Sequence, residues 1–298
     1  MKYPNLVKKL FLLFRRKVGK HMGEKDALLI EKLKEIKKLY EEASQSRGTE
    51  GTLSEIRASK LIMPIHDYVK EELIAHGVNP NKIFPPHNKT KPEIKLIGFL
   101  KGKNQDIVVL PEKPQEETIE EGVLIGEKDE VGKRITNKIL SINVRSQLSS
   151  IAKNFDTLYE RTFAEPLNLH LRNKKLVMGE VYLVPLMAYD PDRRGNSQTV
   201  FREKLPAFKY ISSFQALNNR EFDDEGNEYK YERVCLLIVD FRQNPPKIIN
   251  DVQELVDGGF IDKDMAKKIT LKGLTIKDFV SDILKVYRKR HGSIEPLK

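Results

Sequence analysis

The sequence predicts an α/β fold: a mixed sheet flanked by helices, with N-terminal helices before it and a C-terminal α+β elaboration after it. Three observations predict it. In residues 139–147, Leu140, Ile142 and Val144 alternate with Ser141, Asn143, Arg145 and Gln147, the period-two pattern of a strand with one apolar face. Residues 176–186 form a near-continuous apolar run, as expected of a strand covered on both faces. Between them, Ile151, Phe155, Leu158, Tyr159 and Thr162 share one side of a helix that Ser149 or Ser150 caps and Pro166 disturbs near its end. Strand, helix and strand in that order lay the helix against a sheet.

The remaining elements follow in chain order. The first twenty residues carry seven basic and no acidic side chains. They read as a basic amphipathic helix docked by Leu6, Leu10, Leu13 and Phe14, with an apolar stretch too short for a secretory signal. Residues 26–43 form a helix, because Leu29, Leu33, Ile36 and Tyr40 recur at spacings of three and four. A polar linker over 44–52 leads to a second helix, capped by Thr52 or Ser54, kinked at Pro64 and stopped at Gly77. Residues 79–92 are a proline-rich connector. Strand 94–100 and a turn over 102–105 precede Asp106, which opens a short apolar strand closed by Pro111. Residues 112–130 hold eight acidic and two basic side chains, a solvated excursion with a hairpin around 123–125 that points away from any polyanion. Beyond the core come a polar loop (189–197), a helix or strand (208–217), an apolar strand (234–241) and small helices near 252–256 and 276–289. The resulting divisions are a helical region 1–50, a core 51–190 and an elaboration 191–298.

Composition narrows the function. The chain of 298 residues has 53 Lys and Arg against 43 Asp and Glu, a net charge of +10. That balance favours a polyanionic partner, nucleic acid before an acidic membrane surface. No run approaches the roughly 18–20 apolar residues that span a bilayer. The single cysteine, Cys235, excludes an internal disulfide framework and a cysteine-based zinc site, and fits a reducing, cytoplasmic compartment. The six histidines have no metal-ligand spacing, and no Walker-type glycine loop is present.

Chemistry concentrates in the core. Asp106 starts one strand; Asn143, Arg145 and Gln147 share a face of the next; Glu55 lies on the helix before them. A carboxylate, an amide oxygen and a cation gathered at one sheet edge can hold a hard metal ion and neutralise charge developing on a phosphate. Glu160, Glu165 and Glu180 form a rival set around the helix that follows Ser150 and the apolar strand 176–186. Base reading needs side chains with bidentate reach. Two loops have them: Arg193, Arg194, Asn196 and Gln198 in one, and Asn218, Asn219 and Arg220 in the other. Both fit ordinary solvated turns equally well. Phosphate contacts fall to the first twenty residues or to Arg288-Lys289-Arg290.

The order of elements resembles the PD-(D/E)XK nuclease core. Gln105-Asp106-Ile107-Val108-Val109 is similar to its first motif. Ile142-Asn143-Val144-Arg145-Ser146-Gln147 is similar to its second, with Asn and Arg in place of an acid and lysine. The stretch from Ser141 to Pro185 resembles type II restriction endonucleases, and the likeness extends over residues 53–186. It implies Mg²⁺-dependent, sequence-specific hydrolysis of double-stranded DNA by a homodimer. It assigns Asp106, Asn143 and Glu55 to the metal, with Arg145 or Lys103 as the cation and Gln147 orienting water. Arginine keeps its proton, so Arg145 can stabilise a phosphate but cannot act as the base. The same residues leave a second reading open, a non-catalytic DNA-binding protein on a decayed nuclease fold.

Overall fold

The computed structural model describes residues 26–42, 61–189, 201–222 and 225–298. The expected helix over 1–20, Glu55, and the loop bearing Arg193, Arg194, Asn196 and Gln198 lie outside them. Helix α1 covers 26–42 and buries Leu29, Leu33, Ile36 and Tyr40. Helix α2 is Met63–Ala75, with Pro64 in its first turn. Pro64 therefore opens the helix rather than kinking it, since its missing N–H has no intrahelical partner there.

Strands β1 (Ile83–Phe84), β2 (Ile94–Ile97), β3 (Gly102–Gln105) and β4 (Ile107–Val109) follow. Residues 102–105, expected as a turn, are thus a strand, paired antiparallel with β2. The turn lies at 98–101. Its backbone is held by Asn168, whose Oδ1 accepts from Leu100 N at 2.8 Å and whose Nδ2 donates to Lys101 O at 3.0 Å. A distant side chain chose the turn, so local composition pointed to the wrong residues. A minimal hairpin, β5 (Glu117–Thr118) and β6 (Lys128–Asp129), occupies the acidic stretch, with Val123 and Ile125 exposed between its strands. The stretch is not wholly solvated: Asp129 is buried and pairs with Arg172 at 2.5 Å.

Helix α3 (Lys133–Thr136), strand β7 (Leu140–Ser146), helix α4 (Phe155–Arg172) and strand β8 (Val177–Pro185) complete the centre. Neither Ser149 nor Ser150 caps α4. The N–H groups of Ile151 and Ala152 go instead to the Glu203 carboxylate, and the helix begins at Phe155. It runs through Pro166. One lost hydrogen bond is outweighed by burial of Leu169 and His170 and by the Asn168 clasp beyond it. Tyr159, expected on the apolar side, is exposed. The chain continues through β9 (Met187–Tyr189), β10 (Phe201–Lys204), α5 (Ala207–Ala216), β11 (Arg233–Asp240), β12 (Lys247–Ile249), α6 (Val252–Asp257), α7 (Lys263–Ala266) and α8 (Ile276–His291). Segment 208–217, ambiguous in sequence, is helical.

Among the described residues, six strands form one mixed sheet in the order β1-β4-β7-β8-β11-β12. β7, β8 and β11 are parallel; β4 and β12 flank them antiparallel. Alternation on β7 sends Leu140, Ile142 and Val144 into the core beneath α1, α2 and α8. On the other face Val108, Met178, Tyr182 and Leu236 pack with residues of α4, α5 and α6. Gly179 lets α8 cross β8 closely: a Cβ there would meet Phe279 Cζ at 2.8 Å and Ile283 Cδ1 at 2.6 Å.

At the end of the sheet where β8 and β11 begin, a fully buried Glu232 collects Arg220 and Arg290 at 2.7 Å each and His170 at 3.5 Å, and accepts from Met178 N. Burial pushes its carboxyl upward, but His170, Arg290 and Arg220 reverse this and hold it well below the usual carboxylate range. Arg220 is therefore a structural ion, and Asn218 spends its amide on Gly273 O and Val234 N. Both were expected to contact DNA, yet both are buried. Of that trio only Asn219, in a left-handed turn (φ 62°), is exposed. Glu232→Gln should lower unfolding stability by about 3–5 kcal/mol at neutral pH, because it strands buried cations. The difference from wild type should begin to shrink as pH falls below the unfolded carboxyl value of about 4.3, and go on shrinking towards the much lower folded value. Urea titrations across pH check both.

Candidate active site

A cleft of about 720 Å³ opens between α2 and α4 at the end of β7. One wall carries Met63, His66 and Lys70 of α2 with Lys89, Thr90 and Glu93 of the connector; the other carries Asn154, Thr157 and Arg161. Asp106 and the run Val144–Gln147 line it between these walls. The volume falls within the range of ligand sites, and the lining is more polar than is usual for a small-molecule pocket.

Strand pairing places Asp106. Ile107 faces Ile142 in the antiparallel β4–β7 register, so Asp106 precedes the last paired residue and reaches across to β7. Its Oδ2 accepts from Val144 N at 2.9 Å. The carboxylate thereby caps the ladder and stays at the cleft. His66 of α2 lines the cleft with Asp106 and Val144. Burial depresses the His66 imidazole, and Asp106 partly offsets this.

Arg145 sits at the cleft's base among acids. Its guanidinium pairs with Glu165 of α4 through Nη2, and Nη1 lies 3.4 Å from Glu180 of β8. Burial works against its charge, but Glu180, Tyr231 and Glu165 raise its pKa well above the ordinary value, so it remains a cation. Glu165 also receives Lys103 Nζ at 2.5 Å, Gln105 Nε2 at 3.2 Å and Asn143 Nδ2 at 3.3 Å. Burial would raise the Glu165 carboxyl; Arg145 and Lys103 hold it low. For Glu180 burial prevails over Arg145 and pushes the carboxyl up to about 7.

The fates of the expected residues differ. Asp106, Arg145 and Gln147 line the cleft together. Gln147 donates to Ser149 O, which ties its amide to the next turn. Asn143 and Lys103 do not line it: Asn143 is buried and turned to Glu165, and Lys103 is spent on the same acid. Two exposed cations on opposite walls, Lys89 and Arg161, make no ion pair among the described residues; in sequence Arg161 read only as helix surface and Lys89 was not singled out. Polar residues at 66, 67, 70 and 71 between the buried Ile65, Val69 and Leu73 were the available signal for the α2 wall. Of the expected metal set, Asp106 lines the cleft, Asn143 does not, and Glu55 lies outside the described residues; among those described no three His, Cys, Asp or Glu side chains could hold a metal ion.

Comparison with family models, with curated proteins and with solved structures finds no match. Among the described residues no helix is long and apolar enough to cross a membrane.

The raised Glu180 carboxyl has a defined linkage. Its folded value exceeds the unfolded one, about 4.3, so the folded state holds more protons between them and stability falls as pH rises through that window. Relative to Glu180→Gln, wild type should lose on the order of 3 kcal/mol between pH 4 and pH 8, read from urea midpoints.

Proposed function

We propose that the chain is a metal-dependent endonuclease acting on double-stranded DNA, of the PD-(D/E)XK restriction type and working as a homodimer. The observation that carries this reading is the setting of Asp106. One carboxylate is fixed by Val144 N–H at a cleft whose base holds the cationic Arg145 and whose walls offer Lys89 and Arg161. Exposed cations suit a phosphodiester backbone, which binds largely through its charge. Arg145 is oriented by Glu165 and Glu180 before any ligand arrives, and a preoriented cation suits charge developing on a phosphate.

Mg²⁺ is commonly held by one or two carboxylates plus substrate phosphates and water. Asp106 fits as that carboxylate; Asn143, facing Glu165, fits poorly. Bound there, the ion would supply an activated water that Arg145 cannot generate.

A second reading, a DNA-binding protein without cleavage, draws on the engaged side chains of Asn143 and Lys103. The two separate cleanly. On the nuclease reading, wild type cuts long duplex DNAs only with Mg²⁺. Asp106→Ala should then reduce cleavage at least about a hundredfold while leaving binding in EDTA within about twofold. Normal cutting by the variant overturns the site assignment. Salt-sensitive binding with no nicking by wild type on a varied, unmethylated panel supports the second reading.

A further inference from the structure

The connector wall of the cleft is strapped to α2 by three residues of that helix. Lys70, with no measurable solvent exposure, donates from Nζ to the carbonyls of Pro86 and Lys89, each at 3.2 Å. Asp67 lies 3.6 Å from the same ammonium and accepts from Asn88 N at 3.1 Å. Glu71 meets His87 Nε2 at 2.8 Å and Lys32 of α1 at 3.4 Å. Every residue from 86 to 89 is therefore held through its backbone or side chain.

Burying an ammonium is unfavourable, and burial depresses the Lys70 pKa despite Asp67. A lysine kept in that position with two donors on loop carbonyls defines where the loop lies. What the loop presents is Lys89, exposed on the cleft wall across from Arg161 and unpaired among the described residues. Asn88, just before it, takes a left-handed conformation (φ 58°) that the Asp67 contact supports.

We propose that Lys89 is a phosphate-backbone contact for duplex nucleic acid and that Lys70 is the positioning residue that places it. The inference rests on the nucleic-acid reading of the cleft, and not on catalysis. Lys70 touches no ligand; it sets the distance between the Lys89 wall and the Arg161 wall, and so the width available to a phosphate strand.

The test is anisotropy of a fluorescent 30-base-pair duplex of mixed sequence, in EDTA, over a range of salt. Lys89→Ala should weaken binding about five- to tenfold and reduce the slope of log K against log salt by about one. Lys70→Met should show the same loss and the same change in slope. The double variant should be no weaker than about the weaker single, because both remove one contact. Asp67→Asn, which loosens the loop from the helix surface, serves if Lys70→Met does not fold, with the same non-additivity expected. Unchanged binding by Lys89→Ala, or losses that add in full, overturns the inference while wild-type binding preserves the nucleic-acid reading. Absence of duplex binding by wild type overturns both.

Discussion

Glu180 is a carboxyl with no solvent exposure, and among the described residues its ion-pair contact is with Arg145 alone. Two carboxyls, Glu165 and Glu180, thus share one guanidinium, and the three side chains come from α4, β8 and β7. Pulling β7 away from α4 or β8 parts the buried Arg145 guanidinium from one of these carboxyls, and breaking a buried pair in this way is strongly unfavourable. The register that sets Asn143 opposite Glu180 and Arg145 opposite Tyr182 is constrained by this triad as well as by the apolar alternation of β7. Because Arg145 also lines the cleft, the interaction that ties the core together orients the cation at its mouth.

The cleft is accordingly built from two kinds of support. Its base is rigid by burial: β7 and β8 are covered on both faces, and Asp106 is fastened to the β7 backbone. Its connector wall is a loop without regular structure, and side chains of α2 hold it. Glu232, with Arg220, Arg290 and His170, performs a similar closing role at the other end of the sheet, joining β11 to α4 and α8 far from the cleft. A chain with many charged residues has thus used several of them inside, each with partners, and left cations such as Lys89 and Arg161 at the site open to solvent.

Much of the fold was legible because its signals are local. Alternation at 140–146 and the apolar run at 177–185 marked the parallel centre, and spacing at Leu29, Leu33, Ile36 and Tyr40 marked α1. Features fixed by distant partners were not legible. The turn at 98–101 depends on Asn168, the start of α4 on Glu203, and the burial of Arg220 on Glu232. At the site, strand order brought Asp106 and Arg145 together as the sequence suggested. Asn143 was misdirected for a physical reason: alternation fixes the face of the sheet but not the partner, and Glu165, one helix later, provided one. Lys89 escaped notice and Arg161 read as mere helix surface, because exposed cations in a basic chain look alike until a cleft gathers them.

On the proposed reading, duplex DNA lies in the cleft between α2 and α4. Hydrogen-exchange protection of the full chain on a mixed-sequence duplex measures this directly, without needing the recognition site or turnover. Slowed exchange is expected in residues 85–90, 144–147 and 154–161. Protection confined to other surfaces, such as the basic end of α8 at Arg288-Lys289-Arg290, with the cleft unchanged, would contradict it.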